Sequence, residues 1–225
     1  MALAHVSLMK IGDLDSLIIK LPDPPRFEGE DEYTTSVVLL TLVPDGEELN
    51  ILFEKRAALI RQGNEISLPG GRRDNNDSSL QETAVRETNE ELGIAPDKIR
   101  IVGRLDSIIA PMGALVHVFV GVADVEQGSI QANPMEVERA FMIPVTFFQS
   151  TPPEVYEVMT QVHPSYVDGV TKKEVILFPT RELGLPERYW NSWGGFRHKI
   201  YVYRTNEGAI WGITARIIRN FVAKL

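Results

Sequence analysis

Gly70-Gly71-Arg72-Arg73-Asp74-Asn75-Asn76-Asp77, followed by Thr83-Ala84-Val85-Arg86-Glu87-Thr88-Asn89-Glu90-Glu91-Leu92-Gly93-Ile94, is a glycine turn feeding an acidic helix that ends in glycine. At 3.6 residues per turn, Glu87, Glu90 and Glu91 leave the same side of that helix and converge on one small volume. Like charges at this spacing repel, and they stand in the last turns, where the helix dipole disfavours anions. A cluster set against its own electrostatics points to a missing cation. Hard divalent ions take oxygen ligands, usually one or two carboxylates together with water and phosphate oxygens. Ala84, Val85, Thr88 and Leu92 fall on the neighbouring sector and are expected to bury against a sheet, leaving the acids at the margin of the core. Gly93 supplies the left-handed cap.

A lone Glu-Glu pair on a helix is ordinarily solvated charge, but the ordered run from glycine through acid, Arg-Glu and Glu-Glu to Gly-aliphatic is too long for that reading. It resembles the Nudix box: Gly, five residues, Glu, seven residues, Arg-Glu, an aliphatic, any residue, Glu-Glu, any residue, Gly and an aliphatic. Asp77 stands where the pattern has Glu, and eight residues separate it from Arg86. Both departures, with Thr83-Ala84 ahead of Arg86, are similar to the branch of Nudix hydrolases that cleaves coenzyme A and its thioesters. Upstream, Leu52-Phe53-Glu54-Lys55-Arg56-Ala57 and Asn64-Glu65-Ile66-Ser67-Leu68-Pro69-Gly70-Gly71 resemble that branch's second signature, with Ala57 in place of Ser, Leu68 in place of Phe, and one residue fewer between Arg56 and the glycines. Asn133-Pro134-Met135-Glu136-Val137, Phe141-Met142-Ile143-Pro144 and Ala209 to Ile217 resemble its late loop, late strand and closing helix, so the likeness runs in pieces from about Val37 onward.

The resemblance implies an α/β fold, an α/β/α sandwich with a mixed sheet and a loop-helix-loop metal site. It also implies hydrolysis of coenzyme A to 3′-phosphoadenosine 5′-phosphate and 4′-phosphopantetheine, with Mg²⁺ or Mn²⁺. Glu90 and Glu91 are then the main metal ligands and Glu87 a further ligand or the base, with Glu136 a rival base in the late loop. Arg86 is expected to pair with a carboxylate, Asp77 being a candidate, because a planar guanidinium suits that role better than an ammonium. Gly70 and Gly71 let the backbone turn and approach substrate. Among the cations bracketing that turn, Lys55, Arg56, Arg61, Arg72 and Arg73, we take Arg56, Arg61 and Arg72 as substrate contacts. Three other readings stand beside this one: a Nudix pyrophosphatase of ADP-ribose or a dinucleoside polyphosphate, a catalytically silent nucleotide-binding Nudix module, and an acidic domain binding calcium. The last leaves the glycine turn and Arg86 unexplained, and the intact acids speak against the silent module.

The 225 residues, 44% hydrophobic, suffice for one good core. No Ser/Gly/Pro-rich linker divides them, so we assign residues 1–32 to an acidic, proline-containing arm and 33–225 to one domain. A net charge of −8 argues against a broad nucleic-acid surface. The absence of cysteine excludes disulfides, thiolate catalysis and cysteine-based zinc sites. His5, His117, His163 and His198 show no metal-ligand spacing. No run approaches a membrane span, and Asp13 and Asp15 interrupt the N-terminal apolar stretch, unlike a secretory signal. A cytoplasmic location is therefore expected. Ala223-Lys224-Leu225 resembles a peroxisomal address of the Ser-Lys-Leu type, but Ile217, Ile218, Phe221 and Val222 make the residues before it read as a packed helix. Dimers are common in the family, so a homodimer is carried as an open option.

Period-two patterning gives strands near 36–43, 49–55, 99–105, 115–122, 140–143, 173–177 and 199–203, with a turn at Pro44-Asp45-Gly46. The acidic helix spans about 78–92, with Ser78 or Ser79 capping it and Glu82 completing a capping box from Ser79. A short helix is expected after Pro144 and a final one over about 208–223. Pro152-Pro153 and the stretch from Tyr189 to Phe196 read as loops at the substrate mouth.

Overall fold

Alternation along one strand sets the layers of the molecule, which we describe from a computed structural model over residues 29–225. In β1 (Thr34–Asp45), Val37 and Leu39 point to one side and Leu40 and Leu42 to the other, and all four are buried. A strand buried on both faces must be covered twice. The main sheet runs β3 (Ile66–Ser67), β2 (Glu48–Arg56), β1, β7 (Ala114–Ala123), β5 (Ile99–Arg104). Three more strands join it: β4 (Gly70–Arg72) on β1, β6 (Ile108–Ala110) on β7 and β8 (Val137–Pro144) on β2. The β1–β7 pairing is parallel, from Thr34 opposite Ala114 to Leu42 opposite Val122, and the other pairings are antiparallel, so the sheet is mixed.

Helix α1 (Leu80–Leu92) covers the Val37/Leu39 face through Ala84 and Leu80. The opposite face takes α2 (Val145–Ser150) and α3 (Gly212–Val222), whose Phe148, Ile217, Ile218 and Phe221 pack with Leu40, Ile51 and Phe53. This is the expected α/β/α sandwich. A separate sheet, in the order β13 (Gly208–Trp211), β12 (Trp193–Thr205), β9 (Glu154–Val162), adds Tyr203 and Ile210 to the same core, and β10 (Ser165–Val167) pairs with β11 (Glu174–Ile176).

Several sequence expectations are corrected. The final helix does not start at Gly208: residues 208–211 fold back on β12, with Thr205 opposite Gly208, and the helix begins at Gly212. The stretch from Tyr189 to Phe196 is only partly loop, because β12 begins at Trp193. Val85 is half-buried, and Thr83 is the fully covered neighbour instead, its hydroxyl donating to Asp77 Oδ2 at 2.8 Å. The chain divides into two compact units, residues 1–33 and 34–225, and the second carries everything described here. The arm assigned to residues 1–32 lies almost wholly outside the described residues.

Candidate active site

The helix carrying the acids is held at both ends by local chemistry. Ser79 caps α1, its Oγ accepting from Glu82 N–H at 3.1 Å, and the Glu82 carboxylate accepts from the hydroxyl and the N–H of Ser78 rather than of Ser79. The capping box is therefore present but reaches one residue further back. Gly93, at φ 67°, ends the helix with its N–H donating to Asn89 O at 2.8 Å. Residues 131–137 then cross that end: Gln131 and Asn133 donate to the Leu92 and Glu91 carbonyls at 3.1 and 2.8 Å. These orphan helix carbonyls thereby place the late loop, and Glu136 with it, beside the acidic turn.

Arg86 is the hub of the loop before α1. Its Nε and one terminal nitrogen donate to both oxygens of Asp77 at 2.9 and 3.0 Å, the pairing expected from the sequence. The same guanidinium reaches Glu87 Oε1 at 2.9 Å, Glu90 Oε2 at 2.7 Å and the Arg72 carbonyl at 3.2 Å. The Arg86 guanidinium holds the Asp77 carboxyl well below the usual carboxylate range. Bidentate recognition of this kind needs the planar fork.

The three glutamates do not share one environment. Glu91 is buried and accepts from Gly70 N–H at 2.8 Å, Glu87 is half-buried, and Glu90 is exposed beside Arg86. Gly70, at φ 154°, lies so close to β1 that any Cβ would collide with the Val37 carbonyl. A Cβ on Gly71 would collide with the Glu87 carboxylate. The two glycines thus allow the turn to lie flat on both the strand and the acids.

Beneath them lies a group that sequence reasoning missed. Glu54 in β2 is fully buried. Alternation along β2 sends Ile51 and Phe53 to the α2/α3 face and Leu52 to the α1 face, so Glu54 points toward α1 as Leu52 does. Its Oε1 accepts from Ser67 Oγ at 2.9 Å and from Arg56 at 3.3 Å, while Oε2 lacks any donor. Glu91 is its neighbour: burial, then the Glu54 charge, push the Glu91 carboxyl up to about 9. Burial likewise raises Glu54 and Glu87, with Glu136 close enough to add to both. The hint in the sequence is an acid directly after Ile51-Leu52-Phe53 and ahead of Lys55 and Arg56.

Residues 32–162 match the NUDIX domain family. The chain belongs to the Nudix family.

An uncharacterized Nudix hydrolase, NudL, of Photorhabdus laumondii is 26% identical to this chain over 207 residues, 92% of each protein. The mouse peroxisomal coenzyme A diphosphatase NUDT7 is 35% identical over 120 residues, 53% of this chain and 50% of that one. The human mitochondrial coenzyme A diphosphatase NUDT8 is 27% identical over 166 residues, 73% of this chain and 57% of that one. Among solved structures, the NUDIX domain of Shewanella oneidensis NrtR, complexed with ADP ribose, covers 64% of this chain and 89% of its own at 17% identity and a TM-score of 0.43.

In this Nudix hydrolase the glycine turn, Glu87, Glu91, Glu136 and Arg86 come together, and Glu90 stands at the outer rim. Among the described residues, no three His, Cys, Asp or Glu side chains are gathered at metal-ligand spacing, Arg86 holding Glu87 and Glu90 to itself. Arg56 is partly exposed and lies beside Glu54 and Glu91, 3.3 and 3.8 Å from their oxygens. Arg61 and Arg72 are exposed, and their carbonyls accept from Arg56 and Arg86. No helix among the described residues is long and apolar enough to cross a membrane.

Proposed function

We propose that this Nudix hydrolase cleaves the pyrophosphate bond of coenzyme A or its acyl derivatives, giving 3′-phosphoadenosine 5′-phosphate and (acyl-)4′-phosphopantetheine. The observation that carries the reaction is the Glu54–Glu91 pair: two buried carboxylates under a glycine turn, one with an oxygen lacking a donor, and Arg56 the cation between them. A buried charge without a partner is unstable, so the pair favours a cation. All its donors are carboxylate oxygens, which suits Mg²⁺ or Mn²⁺ rather than a softer metal. Glu91 and Glu54 would hold it, with Glu87 and Glu90 joining when Arg86 releases them. When bound, a divalent ion supplies the positive charge that shielded phosphate oxygens require of any catalyst.

The chain's own groups do the rest. Arg61 and Arg72 present exposed guanidinium groups to the substrate's phosphates. The flat Gly70–Gly71 backbone lets the diphosphate approach α1. Glu136 or Glu87 accepts the proton of the attacking water as the new P–O bond forms and the bridging P–O bond breaks. The choice of coenzyme A rests on the likeness to two coenzyme A diphosphatases and on the sequence signatures of that branch. A pyrophosphatase of ADP-ribose or a dinucleoside polyphosphate would share the same acids and differ in its pocket.

Incubating the protein with Mg²⁺ and a mixture of coenzyme A, ADP-ribose and diadenosine polyphosphate, with an EDTA control, separates these readings by product mass. Metal-dependent phosphopantetheine is the expected product; cleavage of another member alone would keep the reaction and replace the substrate. A second expectation concerns Glu54. Glu54→Gln keeps an acceptor for Ser67 and Arg56 but removes a charge, so Mn²⁺ affinity, read by electron paramagnetic resonance without substrate, should fall by ~10-fold or more. Unchanged affinity would remove Glu54 from the ligand set.

A further inference from the structure

The pairing of β1 with β2 sets Val43 opposite Asn50 and Asp45 opposite Glu48, and β8 sets Pro144 opposite Asn50. Residues opposed in this way share one face of a sheet. Here it is the α1 face, because Val43 packs with Leu52, Met142 and Leu92, the last residue of α1. On that face a half-open concavity of about 440 Å³ has Val43, Asn50, Met142 and Pro144 as its floor and Val125 and Glu126 as its wall. The volume lies within the range of small-molecule sites. Asn50 is its buried polar group: the residue is 8% exposed, and its side-chain amide has no hydrogen-bond partner among the described residues. A buried amide requires one, and the concavity is the side from which it can come.

The rim narrows the chemistry of that partner. Asp45 and Glu126 stand there exposed, neither of them in an ion pair among the described residues, and no lysine or arginine lines the concavity. Asp45 also faces Glu48 across the hairpin, and like charges set opposite each other repel. These acids turn away phosphates, so the concavity is not a second place for the substrate. A hard divalent ion seeks a shell of oxygens and gains nothing from valine, methionine and proline. We propose that the concavity binds a small alkylamine. Its ammonium donates to the Asn50 side-chain carbonyl and is neutralised by Asp45 and Glu126, while its hydrocarbon lies on Val43, Val125 and Met142. None of these residues belongs to the acidic turn, so the proposal stands apart from the pyrophosphatase reading.

Proton–nitrogen correlation spectra of the full chain, titrated with hexylamine in physiological salt, test this. The side-chain amide signal of Asn50, assigned by its absence from Asn50→Leu, is expected to shift saturably with a dissociation constant on the order of 1 mM. The backbone amides of Val125 and Glu126 should move with it. Hexanoate, of equal length and opposite charge, should leave all three in place, and ethylamine should bind ~10-fold more weakly for want of the hydrocarbon. Gly70 and Gly71 report on the acidic turn and should stay where they are. Glu126→Lys, an exposed change that needs no repacking, should weaken hexylamine binding by ~5-fold or more. The proposal is overturned by the lack of a saturable shift, by equal shifts with hexanoate or equal affinity for ethylamine, by shifts centred on Gly70 and Gly71, or by unchanged affinity in Glu126→Lys.

Discussion

Glu91→Gln should lower turnover under saturating Mg²⁺ by ~100-fold or more and yet raise the melting temperature of the metal-free protein. Glu91 is buried against Glu54, and burial pushes its carboxyl up to about 9. A carboxyl raised in the native state holds a proton there that the unfolded chain has already released, so stability falls as pH rises through the interval between the two values. Glutamine keeps an acceptor for Gly70 N–H and never ionises. The gain in melting temperature, measured in EDTA, should be near zero around pH 4 and widen toward pH 9. Turnover within a fewfold of the parent protein would remove Glu91 from the site. A variant that melts lower across the whole range would show that the charge is matched by groups other than those described.

Gly70→Ala attacks the same place through the backbone. The added methyl would meet the Val37 carbonyl, Val38 Cα and the Val38 side chain, and φ 154° is a conformation that L-residues rarely adopt. Two of those atoms belong to the backbone of β1, which is central in the main sheet, so relief requires β4 to lift away. Lifting it also withdraws the Gly70 N–H from Glu91. The expected loss is ~3 kcal/mol or more, a fall of roughly 6–12 °C in melting temperature for a domain of this size, with activity reduced in the fraction that remains folded. Thermal unfolding together with initial rates checks both, and a variant that melts like the parent protein would contradict the close approach.

The parts legible in the sequence were those encoded locally. Ala84, Thr88 and Leu92 mark the buried stripe of α1, Ser79 and Gly93 mark its ends, and Arg86 finds Asp77 nine residues away. Glu54 was invisible because its significance comes from Glu91, on another element and 37 residues later, and from a strand face that only pairing defines. The approach of Arg56 to Glu91, 35 residues on, was hidden for the same reason. β9 escaped because a strand exposed on both faces carries no apolar alternation to read. β13 was absorbed into the helix that follows, since four residues are too few to show a period.

The hub at Arg86 also bears on the order in which the molecule assembles. Asp77, Glu87, Glu90 and the Arg72 carbonyl all lie within fourteen residues of it, so the loop and α1 close over short stretches of chain. The parallel pairing of β1 with β7 joins Thr34 to Ala114, eighty residues apart, and must overcome a far larger loop entropy. Mutations around Arg86 are therefore expected to act on a segment that organises early, while the rate of reaching the native state is governed by the β1–β7 closure, remote from the chemistry.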